Sequence, residues 1–141
     1  MPRYPTQPDP EFLVDRSLGL YVLPDALRAR GLTVHTLESV YGKVQSQSVP
    51  DIRWLGDAGQ NNWVVLCKDD SIRRTPMELA TVERYRVKMF CLTTASLTGE
   101  QQRDRILSHV NRIAQRARKP GPYIYGIYER NIRLLWRPAE S

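Results

Sequence analysis

Nothing in this chain approaches the roughly 18 consecutive apolar residues that a membrane-spanning helix requires. Cysteine is scarce. There are two, Cys67 and Cys91, neither in a C-x-x-C pair and both inside apolar, strand-like runs. They read as buried free thiols of a reducing compartment, and a bridge between them would require neighbouring strands. Histidine is equally scarce, and neither His35 nor His109 has zinc-ligand spacing. His35 alternates with Val34 in a strand and reads as structural; His109 reads as the exposed side of a long helix. There is no internal repeat and no low-complexity tract. The polar, proline-rich stretch Met1–Pro10 lacks the apolar centre of a secretory signal. The expectation is a cytoplasmic protein with a flexible lead-in over residues 1–11 and one domain over 12–138.

What the chain does have is a 41% apolar share, enough for a core, and a net charge of +6 with a pI near 9.6. That balance suits a polyanionic partner such as nucleic acid. It equally fits a basic protein with none.

The apolar pattern predicts alternating strands and helices. Phe12-Leu13-Val14 is a short buried strand ending at Asp15. Val22, Leu23, Ala26 and Leu27 share one face of a helix over 20–30, closed by Gly31. Thr33–Leu37 reads as the second strand. Ser48-Val49-Pro50-Asp51 opens a helix, with Ser48 as its cap, Pro50 in the first turn and Asp51 at the positive end. Its buried stripe is predicted as Ile52, Leu55 and Ala58. Trp63–Cys67 is the clearest strand and runs into Lys68-Asp69-Asp70. A helix over 76–85 and a strand over 88–93 follow. Thr98-Gly99-Glu100-Gln101 matches a capping box at the head of a long helix. Tyr123–Tyr128 and Ile132–Trp136 read as a closing hairpin. The order predicts an α/β domain with a central, mostly parallel sheet covered by helices on both faces.

In such a sheet, ligands bind beyond the C-terminal ends of the strands. Asp15 follows the first strand, Asp69 and Asp70 follow the third, and Asp51 heads the helix leading into the third. All four belong to one edge. Converging carboxylates repel unless a cation intervenes, and a hard divalent ion takes oxygen ligands. Mg²⁺ or Mn²⁺ held there could activate water against a phosphodiester. Taken singly, each acid also fits a plainer role: a turn, an Asx motif or a helix-dipole partner. Glu38, after the second strand, is a further candidate acid or a solvated loop carboxylate. Asp57 reads as exposed. Arg73 and Arg74 could hold RNA phosphates or simply offset the nearby acids. Arg103, Arg105, Arg112, Arg116, Arg118 and Lys119 fit a solvated helix face. Tyr123, Tyr125 and Tyr128 fit packing, with base stacking as the alternative.

The segments Phe12-Leu-Val-Asp-Arg-Ser-Leu-Gly, Pro50-Asp-Ile-Arg-Trp-Leu and Val64-Val-Leu-Cys-Lys-Asp-Asp, in this order, resemble the compact branch of the PIN-like family, close to the VapC-type toxins of bacterial toxin–antitoxin pairs. The resemblance covers roughly residues 12 to 95. It implies a single PIN-like domain and a Mg²⁺- or Mn²⁺-dependent endoribonuclease, neutralised by a cognate antitoxin that covers the acidic pocket. It also implies a homodimer or a toxin–antitoxin hetero-oligomer. By motif, Asp15, Asp51 and Asp69, with Asp70 beside it, take the places of the family acids. Glu38 is the substitute this chain offers for a Glu that larger relatives carry on an intermediate helix. Arg16 stands where related chains often have a second acid, and joins Arg73 and Arg74 as a candidate RNA contact.

Two other functions fit parts of the pattern. A receiver-like phosphoacceptor domain also places acids after its first and third strands and a Thr after its fourth, as Thr93 or Thr94 would be. It further needs a paired acid where Arg16 stands and a Lys where Glu129-Arg130 follow. A non-catalytic module that binds RNA or protein would keep the fold without needing the acids.

Overall fold

A computed structural model describes residues 9–68, 71–94 and 96–139. Six strands form one sheet: β1 (Phe12–Val14), β2 (Val34–Thr36), β3 (Val64–Lys68), β4 (Lys88–Leu92), β5 (Tyr123–Ile127) and β6 (Ile132–Trp136). Their order is β2-β1-β3-β4-β5-β6. The first five are parallel, and β6 returns antiparallel to β5 as the predicted hairpin. The helices are α1 (Val22–Ala29), α2 (Leu37–Tyr41), α3 (Asp51–Gln60), α4 (Pro76–Arg84), α5 (Gly99–Ser108) and α6 (Val110–Arg116).

Alternation along the strands splits the core in two. Phe12, Val14, Val64, Leu66, Phe90 and Leu92 face α1, α5 and α6 through Leu23, Leu27, Ile106 and Ile113. Leu13, Val65, Cys67, Met89 and Cys91 face α3 and α4 through Trp54, Leu55, Ala58 and Val82. Strands buried on both faces, as β3 and β4 are, need continuous apolar runs, which is why they are the most legible segments.

Several expectations change. In α3, Ile52 is 43% exposed, and Trp54, at 1%, takes its place in the core. The helix is capped by Pro50 without a side-chain bond, so Ser48 is not the cap. A short helix, α2, follows β2. It opens with a capping box in which Ser39 N donates to Thr36 Oγ1 at 3.0 Å and Thr36 N donates to Ser39 Oγ at 2.8 Å. At the other predicted capping box, Gln101 N donates to Thr98 Oγ1 at 3.1 Å, as the sequence reads.

The long helix breaks at His109, which is 3% exposed rather than on the open face. Its Nε2 lies 2.8 Å from the Tyr128 carbonyl and 3.1 Å from that of Glu129, so it donates to the β5–β6 turn. Recruiting the ring to those carbonyls tilts it inward. Cys67 and Cys91 are register partners on β3 and β4, with Cα atoms 4.7 Å apart and the two sulfurs in direct contact. Two isolated thiols are thus replaced by a juxtaposed buried pair.

Candidate active site

The sheet order reverses at β1: the chain moves out to β2, then crosses back to place β3 on the other side of β1. The crevice beyond the C-terminal ends of β1 and β3 is the place where a doubly wound sheet binds its ligands. Asp15, the residue after β1, is half-buried there, and its N–H donates to the Leu66 carbonyl of β3 at 2.9 Å. Ser17, in the turn after Asp15, donates its hydroxyl to Asp15 Oδ2 at 2.7 Å and accepts from Lys68 N at 3.1 Å. One serine therefore fixes the first acid and the end of β3 together.

Asp51 sits in the first turn of α3, where a carboxylate is favoured by the helix dipole. Its Oδ1 accepts from Trp54 Nε1 at 2.9 Å. The buried indole thus aims the carboxylate while filling the core. Arg16 secures the approach to this helix, donating from its guanidinium to the carbonyls of Val49 at 3.1 Å and Gln47 at 3.4 Å.

A third acid was not singled out in the sequence. Glu78 lies in the first turn of α4, half-buried. A hydrogen bond links its carboxyl to that of Asp51. Burial, then that bond and the charges of Asp51 and Asp15, push its pKa up to about 7. The rule that drew attention to Asp51, an acid opening a helix at the binding edge, applies equally to Pro76-Met77-Glu78. Among the described residues, no group of three or more His, Cys, Asp or Glu side chains is close enough to hold a metal ion.

The remaining candidates fall elsewhere. Asp69 and Asp70 lie outside the described residues. Glu38, in α2, lines a separate cleft with Arg16 and is not among the groups acting on Glu78. Arg73 and Arg74 form the end of a 3-10 turn between β3 and α4 (Ser71–Arg74), on the same edge as Glu78. Asp57 is half-buried rather than exposed and accepts from the Tyr41 hydroxyl. His35 is structural: it stacks on Trp63 with ring centroids 4.2 Å apart and meets Glu11 Oε1 at 2.8 Å.

A parallel sheet with acids after β1 and at the starts of α3 and α4 defines a class, and comparison with known proteins agrees. Residues 10–94 match the family model described as "PIN like domain", and the chain belongs to the PIN-like family. It is also similar to a Mycobacterium tuberculosis (strain H37Rv) protein described as "Putative ribonuclease VapC45", with 37% identity over 119 residues, covering 84% of this chain and 86% of that protein. No solved structure matches the chain at a significant level. No helix among the described residues is long and apolar enough to cross a membrane.

Proposed function

We propose that the chain is a Mg²⁺- or Mn²⁺-dependent endoribonuclease of the cytoplasm, the toxin of a toxin–antitoxin pair, held in check by a cognate antitoxin protein in a homodimeric or hetero-oligomeric complex. One observation carries the reading: the Glu78 carboxyl is bonded to that of Asp51 within the field of Asp15, so three segments remote in sequence contribute acids to one edge. Membership of the PIN-like family and similarity to a protein described as a ribonuclease support it.

The donor set suits a hard cation. It consists of carboxylate oxygens, crowded enough that Glu78 tends to keep its proton. Asp15 and Asp51 would hold the ion together with Asp69 and Asp70, which this reading takes from the motif, and Glu78 adds a further carboxylate. A bound Mg²⁺ or Mn²⁺ supplies Lewis acidity toward the phosphodiester and a lowered pKa for attacking water.

The chain's own groups do the positioning. Ser17 orients Asp15, the Trp54 indole orients Asp51, and the Asp51 carboxylate shares the Glu78 proton. Arg73 and Arg74, beside the acids in sequence, supply positive charge for the RNA backbone, a contact that adds affinity without reading sequence.

The test compares cleavage of mixed RNAs by the wild type, Asp15→Ala and Asp69→Asn, each with Mg²⁺, Mn²⁺ or chelator. The expected result is cleavage by wild type with metal and none above the chelator control in either variant. Cleavage that survives both the substitutions and the chelator would exclude this mechanism. Cellular toxicity indifferent to the substitutions would point to the non-catalytic module instead.

A further inference from the structure

A second cleft, of about 340 Å³, opens on the same sheet edge. Its walls come from the segment after β1 (Arg16, Leu20, Tyr21) and from α2 and the loop after it (Leu37, Glu38, Lys43). Arg16, on its wall, directly follows Asp15, which puts the cleft on the edge that carries the acids. Its size lies within the roughly 300–1,000 Å³ of small-ligand sites.

We infer that this cleft is a subsite for one unpaired guanosine of the RNA strand, next to the bond that is cut; the inference rests on the ribonuclease reading above.

The lining has the chemistry of a base site. Leu37 is buried at 2% exposure, while Leu20 at 39% and Tyr21 at 69% stand open to solvent. Among the described residues, the Tyr21 ring has no stacking partner and its hydroxyl no hydrogen bond. An exposed aromatic ring at the lip of an apolar slot is a platform on which a base can stack, and single-stranded RNA is held in this way.

Glu38 supplies selectivity. Its backbone carbonyl accepts from Gly42 N at 2.9 Å, but among the described residues its half-buried carboxylate has no hydrogen bond or ion pair. An ionised carboxylate only accepts. Guanine alone places two N–H donors side by side, at N1 and N2. Adenine and cytosine pair one amino group with an acceptor, and uracil sets one N–H between two carbonyls. Lys43 adds a donor for guanine's own acceptors or for a phosphate. An aliphatic anchor from a protein partner would leave Glu38 and Lys43 unanswered. A nucleotide uses both, and the net charge of +6 favours the polyanion.

The experiment measures binding of the full-length wild-type protein, in chelator so that nothing is cut, to dye-labelled single-stranded RNAs by fluorescence anisotropy. The RNAs are identical except for guanosine, inosine, adenosine, cytidine or uridine at one central position. The guanosine strand is expected to bind about tenfold tighter than the inosine strand, which lacks the N2 amine. Tyr21→Ala should weaken every strand by roughly five- to hundredfold, with Tyr21→Trp restoring the affinity. Glu38→Gln should erase the difference between guanosine and inosine. Both side chains are solvent-accessible, so these variants fold. Equal affinity for all five strands, or Tyr21→Ala and Glu38→Gln binding as wild type does, would overturn the subsite. So would a Tyr21→Ala protein that keeps its RNA affinity but escapes inhibition by a protein partner. Absence of chelator-sensitive cleavage by the wild type removes the nuclease reading separately, because the binding measurement does not depend on cutting.

Discussion

The Glu78 carboxyl and the Asp51 carboxyl share a hydrogen bond, although they open two different helices, one before β3 in the chain and one after it. Burial disfavours the ionised form of Glu78, and the bond to Asp51 and the like charges beside it add to the cost. In the unfolded chain Glu78 titrates near 4.5; in the metal-free fold its pKa is about 7. The folded state therefore binds the proton more tightly. The group's contribution to stability is fully present below pH 4.5, declines as pH rises toward 7, and is gone above that. Thermal melts in chelator from pH 4.5 to 8 should show wild type losing a few degrees relative to Glu78→Gln across this window. Parallel curves for the two proteins would refute the coupling.

Ser17→Ala removes the hydroxyl that joins Asp15 to the end of β3. The loop is exposed, so folding should change little. Ribonuclease activity should fall by about tenfold or more, as expected when a group orienting a metal-holding residue is lost. The measurement is the cleavage rate at saturating Mg²⁺ beside the melting temperature. A large loss of stability with unchanged rate would assign the serine to the fold alone.

Arg16→Ala should cost about 1–2 kcal/mol, because two backbone carbonyls on the approach to α3 lose a charged donor. Arg16→Lys should recover only part of this, since an ammonium cannot reproduce the forked geometry. Urea unfolding of the three proteins gives the comparison. Equal midpoints for Arg16→Ala and wild type would show that the contacts add nothing.

His109→Ala should be the most destabilising of these changes, by roughly 2–4 kcal/mol, because it opens a cavity and orphans the carbonyls of Tyr128 and Glu129. His109→Gln keeps a donor near the same position and should lose less. Denaturant midpoints decide, and equal losses in the two variants would remove the hydrogen bond from the account.

Much of this molecule is written in its apolar runs. Strands β3 and β4 are buried on both faces, so their sequences are continuously apolar and hard to mistake. The acids beyond strand ends and helix starts follow from topology, which is why Asp15 and Asp51 could be placed from the sequence. Glu78 opens α4 as Asp51 opens α3, so the same rule reaches it, but the sequence does not say that these two carboxyls touch. Only the crossing of α3 and α4 beside β3 shows that two such helix starts meet. His109 was hidden for a different reason. A helical wheel assumes an unbroken helix, and the ring's pull toward the β5–β6 turn breaks it. On α3 the core takes Trp54 rather than Ile52, and the larger indole has Asp51 to satisfy its N–H.

Strand β6 runs against the other five and leaves one side of its backbone unpaired by any strand among the described residues. Arg133 stands exposed on it, and exposed Arg137 and then Pro138 follow its last residue. Two copies meeting edge to edge here would set guanidinium groups against one another, and proline offers no N–H to extend the ladder. The border that completes the sheet is also built to keep it from growing.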